Sequence, residues 1–177
     1  MAVTPACHLP APKVNILIDN EDNPRLTDFG MVTMASERST TAPPLSADGN
    51  LRWMSPELLY PEKFGLDGLS TVQSDVYALG MVIYEVLSGQ VPFATHQDPE
   101  VVFMILGGER PRRPEGDVGR LFTDEIWEVL RLCWNEQPGD RPGVKDVLIG
   151  LYGKSPPSWL FSSIDEEVEL DTDSDGD

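Results

Sequence analysis

Histidine and cysteine are scarce, with two of each in 177 residues. Cys7 lies in an irregular leader and Cys133 inside a helical pattern, so the chain offers no disulfide framework. His8 and His96 stand far apart, and nothing has metal-ligand spacing. Positive charge is also short. Thirteen Lys and Arg against thirty Asp and Glu give a net charge of −17, which argues against nucleic-acid backbone or anionic membrane as a partner. Long apolar runs are missing too. None approaches the ~20 residues of a membrane span, and no charged-then-apolar leader follows Met1. The compartment expected is therefore the cell interior, the cytoplasm by default. No internal repeat is present.

What is there suits a folded core. Apolar residues make up 40% of the chain, a globular composition, and the length suffices for one domain or a large part of a bigger one. The acidity is uneven: Asp165 to Asp177 hold eight acids and no base, which leaves −9 for the rest. Residues 153–177 read as an acidic, disordered tail. Its DTDSDG stretch, Asp171 to Gly176, has acids at the spacing that opens a calcium loop, but the chain stops before the bidentate glutamate. A solvated tail is the reading, with Thr172 and Ser174 as candidate targets of an acid-directed kinase.

In chain order, Met1 to Lys13 holds three prolines and no periodicity, so it reads as an irregular leader. Val14 to Ile18 is a strand signal. The turn formers of Asp19 to Pro24 follow, and Arg25 to Thr27 resumes an extended pattern, which together predict a hairpin. A long polar loop rich in Ser and Thr then runs to Asn50. Arg52 to Tyr60 predicts a loop entering a short helix, with Ser55 as cap and Pro56 in the first position. The stretch from Ser74 to Gly89 is apolar on more than one face, through Val76, Leu79, Met81, Val82, Ile83, Val86 and Leu87. It predicts a buried helix ended by Gly89 in a left-handed cap. Helices are further expected over Glu100 to Leu106, Asp124 to Trp134 and Val144 to Tyr152. Arg110 to Arg113, RPRR, reads as a basic loop. Two short strands and about five helices make a mainly α chain of the α+β kind.

Several short marks recur in one order: Asn15, then Asp28-Phe29-Gly30, then Ser55-Pro56-Glu57, then Asp75 at the head of the apolar helix, then Cys133-Trp134 and Arg141-Pro142. Each is weak alone, but in this order they resemble the C-terminal lobe of a eukaryotic protein kinase. The likeness runs from about Val14 to Tyr152. Within the family, LRLCWNEQPGDRP from Leu130 to Pro142 points to the tyrosine-kinase-like or serine/threonine group. The resemblance implies ATP and Mg²⁺ as cofactors and proteins as substrates or partners, with neither nucleic acid nor membrane. It implies Asp28 as the main Mg²⁺ ligand, with Asn15 holding a second ion. Leu17 would lie under the adenine ring, and Phe29 would pack below the site. Residues 28–57 would be the activation segment, tied down by an ion pair between Glu57 and Arg141. Asp75 would accept backbone N–H bonds from the catalytic loop, and Trp134 would mark the structural core. Ser39, Thr40 and Thr41 become candidate phosphorylation sites.

The chain also departs from that pattern. Counting back from Asn15, His8 falls on the family's catalytic-loop His and Leu9 on its usual Arg. Pro10 then occupies the position of the catalytic Asp, and Pro12 that of the Lys, with Lys13 one residue late. Proline neither accepts nor orients a proton, so no catalytic residue is intact. Asn50 replaces the Ser or Thr expected before Leu51-Arg52. Fourteen residues before Asn15 cannot hold a glycine-rich loop, a strand lysine and their partner glutamate, so the N-terminal lobe is missing from these residues. The expected function is that of a kinase-domain fragment, inactive by itself, from a family that transfers the ATP γ-phosphate to Ser or Thr, with Tyr as another acceptor. The alternative is a non-catalytic, pseudokinase-like interaction module.

Overall fold

The computed structural model describes residues 16–26 and 51–153. It opens on a hairpin of β1 (Ile16–Ile18) and β2 (Pro24–Leu26), antiparallel, with Leu17 opposite Arg25. The turn is built on Asp19, whose Oδ1 accepts the amides of Glu21 and Asn23 at 2.9 and 3.0 Å. Arg25 Nε closes on its other oxygen at 2.9 Å. The Asn23 amide, the Arg25 side chain and the Glu21 amide together hold the Asp19 carboxyl down at about 2.

Seven helices follow. They are α1 (Pro56–Leu59), α2 (Pro61–Phe64), α3 (Val72–Ser88), α4 (Asp98–Leu106), α5 (Gly116–Gly119), α6 (Asp124–Cys133) and α7 (Val144–Tyr152). Single 3-10 turns lie at Leu51–Trp53 and Pro138–Asp140. Helices α2 and α5 have four residues each, too few for a periodic signal, which is why the sequence pattern shows only five. Ser55 occupies the N-cap position of α1, but by backbone alone: its carbonyl accepts the amides of Leu58 and Leu59, while its buried hydroxyl makes no cap bond.

The central helix α3 starts two residues earlier than its apolar pattern suggests. Thr71 and Ser74 form a reciprocal capping box, with bonds of 3.1 Å and 2.9 Å. Gly89 closes the helix at φ 68°, and its N–H donates to Glu85 O. The expectation of burial all round is corrected: the buried face is Ser74, Val76, Tyr77, Gly80 and Met81, while Val72 and Val86 are 63% and 73% exposed. The side that packs on α6, α5 and the turns at 51–53 and 138–140 carries these residues, with Leu79, Ile83, Tyr84 and Leu87 half-buried around them. On that side the approach is close. A Cβ on Gly80 would lie 2.7 Å from Trp134 Nε1 and 2.9 Å from Cys133 Cβ. Trp134 is fixed in turn by edge contacts to Tyr84 and Trp127, with centroids 6.0 and 5.9 Å apart. A Gly80→Ala change would gain about 1 kcal/mol of helix propensity but meet an indole that cannot retreat. Overpacking costs about 1–3 kcal/mol, so the variant should melt several degrees lower. An unchanged or raised Tm in a calorimetric scan would refute this packing.

Candidate functional site

Residues 51–59 are held to the helical core at three points. The first is Arg52. Its Nε donates to Asp98 Oδ1 at 2.9 Å, its Nη1 to the carbonyls of Pro92 and Phe93 at 2.8 and 2.7 Å, and its Nη2 to His96 O at 2.7 Å. One planar fork thus gathers the whole 92–98 turn, an arrangement a lysine cannot reproduce. Within that turn Phe93 sits at φ 56°, a left-handed conformation that costs a side-chain-bearing residue about 1–3 kcal/mol. Its buried ring and the Arg52 bond to its carbonyl offset the strain. The second point is Trp53, whose Nε1 donates to Glu85 Oε2 on α3 at 3.1 Å.

The third point is a buried ion pair. Arg141 Nη1 and Nη2 meet Glu57 Oε1 and Oε2 at 2.6 and 2.7 Å, a bidentate contact with both side chains almost wholly out of water. Arg141 also donates to Asn135 O and Gln73 O at 3.0 and 2.9 Å. Burial is the largest single influence and opposes the charge on Glu57. The hydrogen bonds from Arg141, its positive charge and weaker local hydrogen bonds together outweigh it and hold the carboxyl below its usual value. The Arg141 guanidinium stands over the Tyr77 ring at 5.0 Å, and Arg110 stands over the same ring at 5.4 Å. Burial pushes the Tyr77 hydroxyl well above its ordinary value, and its oxygen finds no partner among the described residues.

Beyond Tyr77 the charges continue. Arg110 Nη2 and Lys63 Nζ grip the two oxygens of Glu136 at 2.7 and 2.8 Å, and Arg110 Nε donates to Trp134 O at 2.8 Å. Arg113 binds Asp124 at 2.6 Å and also the Phe122 carbonyl. The basic RPRR run is therefore largely consumed inside the fold. None of these roles shows in the local sequence, since each partner of Arg52, Lys63 or Arg110 across this network is distant or an anonymous carbonyl.

The remaining candidates divide by position. Leu17 lies on β1 with 55% of its surface exposed. Asp75 is in the first turn of α3, and desolvation raises its carboxyl above the usual value. Trp134 is buried against Gly80. Cys133 beside it is a buried free thiol, pushed up to about 11 by desolvation, so it is no nucleophile. Asn15, Asp28, Phe29, Ser39, Thr40, Thr41 and Pro10 lie outside the described residues. So do Thr172, Ser174 and the rest of the acidic tail. Among the described residues no group of three His, Cys, Asp or Glu could hold a metal, and no helix is long and apolar enough to cross a membrane.

Residues 8–151 match the family described as protein tyrosine and serine/threonine kinase. The chain belongs to the protein kinase family. Kinase suppressor of Ras A of Caenorhabditis elegans is 32% identical over 77% of this chain and 18% of its own length. The cytoplasmic tyrosine-protein kinase BMX of Mus musculus is 28% identical over 77% of the chain and 19% of its own. Mitogen-activated protein kinase kinase kinase 12 of Rattus norvegicus is 27% identical over 88% and 17%. This kinase-family chain thus spans less than a fifth of each of these three relatives.

Proposed function

We propose that residues 14–152 form the C-terminal lobe of a kinase domain, with 28–57 as its activation segment. On this reading the complete domain transfers the ATP γ-phosphate to Ser or Thr of a protein, and Tyr is the other acceptor class. Asn15 and Asp28 hold Mg²⁺, and Leu17 and Phe29 face the nucleotide. Bound Mg-ATP would supply the phosphoryl group and neutralise its oxygens. What supports the described part of that site is that Leu17 is an exposed apolar side chain on β1, a surface that a ring would cover. Asp75 holds the loop before Asn15, and residues 1–13 and 153–177 flank the lobe as leader and acidic tail. The observation that carries the reading is the Glu57–Arg141 pair, which fastens the end of the loop to the helical core as a substrate-side platform requires.

These 177 residues by themselves are proposed not to catalyse transfer, because Pro10 stands where the catalytic Asp falls and can take no proton. That favours a second role, a non-catalytic module that engages proteins in the cell interior. The test is incubation of the purified chain with labelled Mg-ATP and a generic protein acceptor. No incorporation above a protein-free blank is expected. Incorporation that disappears in Asp28→Ala would overturn the proposal.

A further inference from the structure

Arg110 bonds neither Glu57 nor Arg141, yet it meets the support of that pair twice. The first meeting is the fully buried Tyr77 ring, with the Arg141 guanidinium at 5.0 Å and that of Arg110 at 5.4 Å. The second is the turn after α6, where three consecutive residues hold both arginines. Trp134 O accepts Arg110 Nε at 2.8 Å, and Asn135 O accepts Arg141 Nε at 3.0 Å. The Glu136 carboxylate then accepts Arg110 Nη2 at 2.7 Å. Arg110 Nη1 reaches back to Ile105 O, in the last turn of α4, at 3.1 Å. All three nitrogens are thus engaged, and the guanidinium cannot turn without disturbing the carbonyl, the carboxylate or the ring.

We infer that Arg110 is a positioning residue for the Glu57–Arg141 pair. It fixes the Tyr77 ring and the 134–136 turn in the arrangement that presents the Arg141 fork to both oxygens of Glu57. The functional meaning rests on the reading of 51–59 as the fixed end of an activation segment. Two physical points carry the inference. A bidentate contact needs the plane of the guanidinium held, and Arg141 takes its plane from Tyr77, Asn135 O and Gln73 O. Arg110 grips the same ring and the residues on either side of Asn135. The two cationic centres also lie within about 10 Å of each other around one ring. In an interior poor in water they repel, so the arrangement needs a carboxylate for each, Glu57 for Arg141 and Glu136 for Arg110. Helix α4 is thereby tied to the 51–59 stretch at both ends, through Arg52 on Asp98 and through Arg110 on Ile105.

A double-mutant cycle on the full chain, read by denaturant unfolding, tests this. Arg110→Lys keeps the charge but cannot lay a plane on Tyr77 or serve Trp134 O, Ile105 O and Glu136 together. Its penalty should be smaller in a Glu57→Gln background, by at least about threefold in the folding equilibrium constant. Arg113→Lys is the control: it belongs to the same loop but binds Asp124 and the Phe122 carbonyl, and it should add to Glu57→Gln. Hydrogen exchange locates the effect. In Arg110→Lys the amides of Leu58, Leu59 and Tyr60, which donate to Ser55 O and Pro56 O, should exchange several-fold faster relative to those of α7. Glu136→Gln, at a partly exposed side chain, should give the same pattern at smaller size and carries the test if Arg110→Lys fails to fold. Additivity within about twofold, or a rise shared equally by α1 and α7, would overturn the proposal and leave Arg110 a cap on α4. A cycle between Glu57 and Arg141 separates the two claims: coupling there with none at Arg110 removes this inference alone, whereas additivity there removes the anchor itself.

Discussion

Arg141→Ala should remove about 3–5 kcal/mol of stability, the cost of leaving one member of a buried pair without its partner. Against the ~5–15 kcal/mol of a typical domain this approaches global unfolding. The pH dependence identifies the cause. In the wild type the Glu57 carboxyl lies below its unfolded value. Its contribution is therefore complete above the unfolded value and is lost as pH falls through the lower, folded one. In the variant the hydrogen bonds and charge of Arg141 are gone. Burial, the largest single influence, is then opposed only by weaker local hydrogen bonds, so the carboxyl is expected to move above its unfolded value. The sign of the slope reverses: acidification through the carboxylate range should stabilise Arg141→Ala while it destabilises the wild type. Denaturant midpoints between pH 3 and 7 read this directly, and parallel profiles for the two proteins would contradict it.

The next largest effect is expected at Arg52. Its replacement by Met keeps much of the apolar stem but strands the carbonyls of Pro92, Phe93 and His96 and the carboxylate of Asp98. Hydrogen bonds from a charged donor contribute about 1.5–3 kcal/mol each and do not add, so a loss of at least about 2 kcal/mol is expected. Arg52→Lys should recover little of it, because an ammonium cannot span the fork. The left-handed backbone at Phe93 also loses its restraint, so limited proteolysis should cut first within 92–98. Full recovery by lysine, or a first cut elsewhere, would show that Arg52 is merely a surface charge.

The legible parts of the fold were those written in neighbouring residues. The hairpin follows from a strand signal interrupted by the turn formers Asp19 to Pro24, and the end of α3 from Gly89. Helices α4, α6 and α7 show their periods. What stayed hidden was written across the chain. Gly80 is small because Trp134 lies against it, and Arg52 answers to carbonyls some forty residues away, neither of which leaves a local trace. Tyr77 looks like one more apolar position until two guanidiniums are found over its ring. The apolar pattern of α3 also overstated burial, since it cannot tell which faces meet a neighbour, and Val86 meets none that covers it. Within the site, Glu57 and Arg141 stand 84 residues apart and were paired only through the family resemblance.

Everything proposed for residues 51–59 as the fixed end of an activation segment depends on that pair coupling the segment to the helical core. A double-mutant cycle on Glu57→Gln and Arg141→Met isolates the coupling from the cost of each change. The account predicts single variants that are each severely destabilised and a double variant less destabilised than their sum by at least about 2 kcal/mol, within the range of coupled neighbours. Additivity within about 0.5 kcal/mol would contradict it and leave the stretch without its anchor.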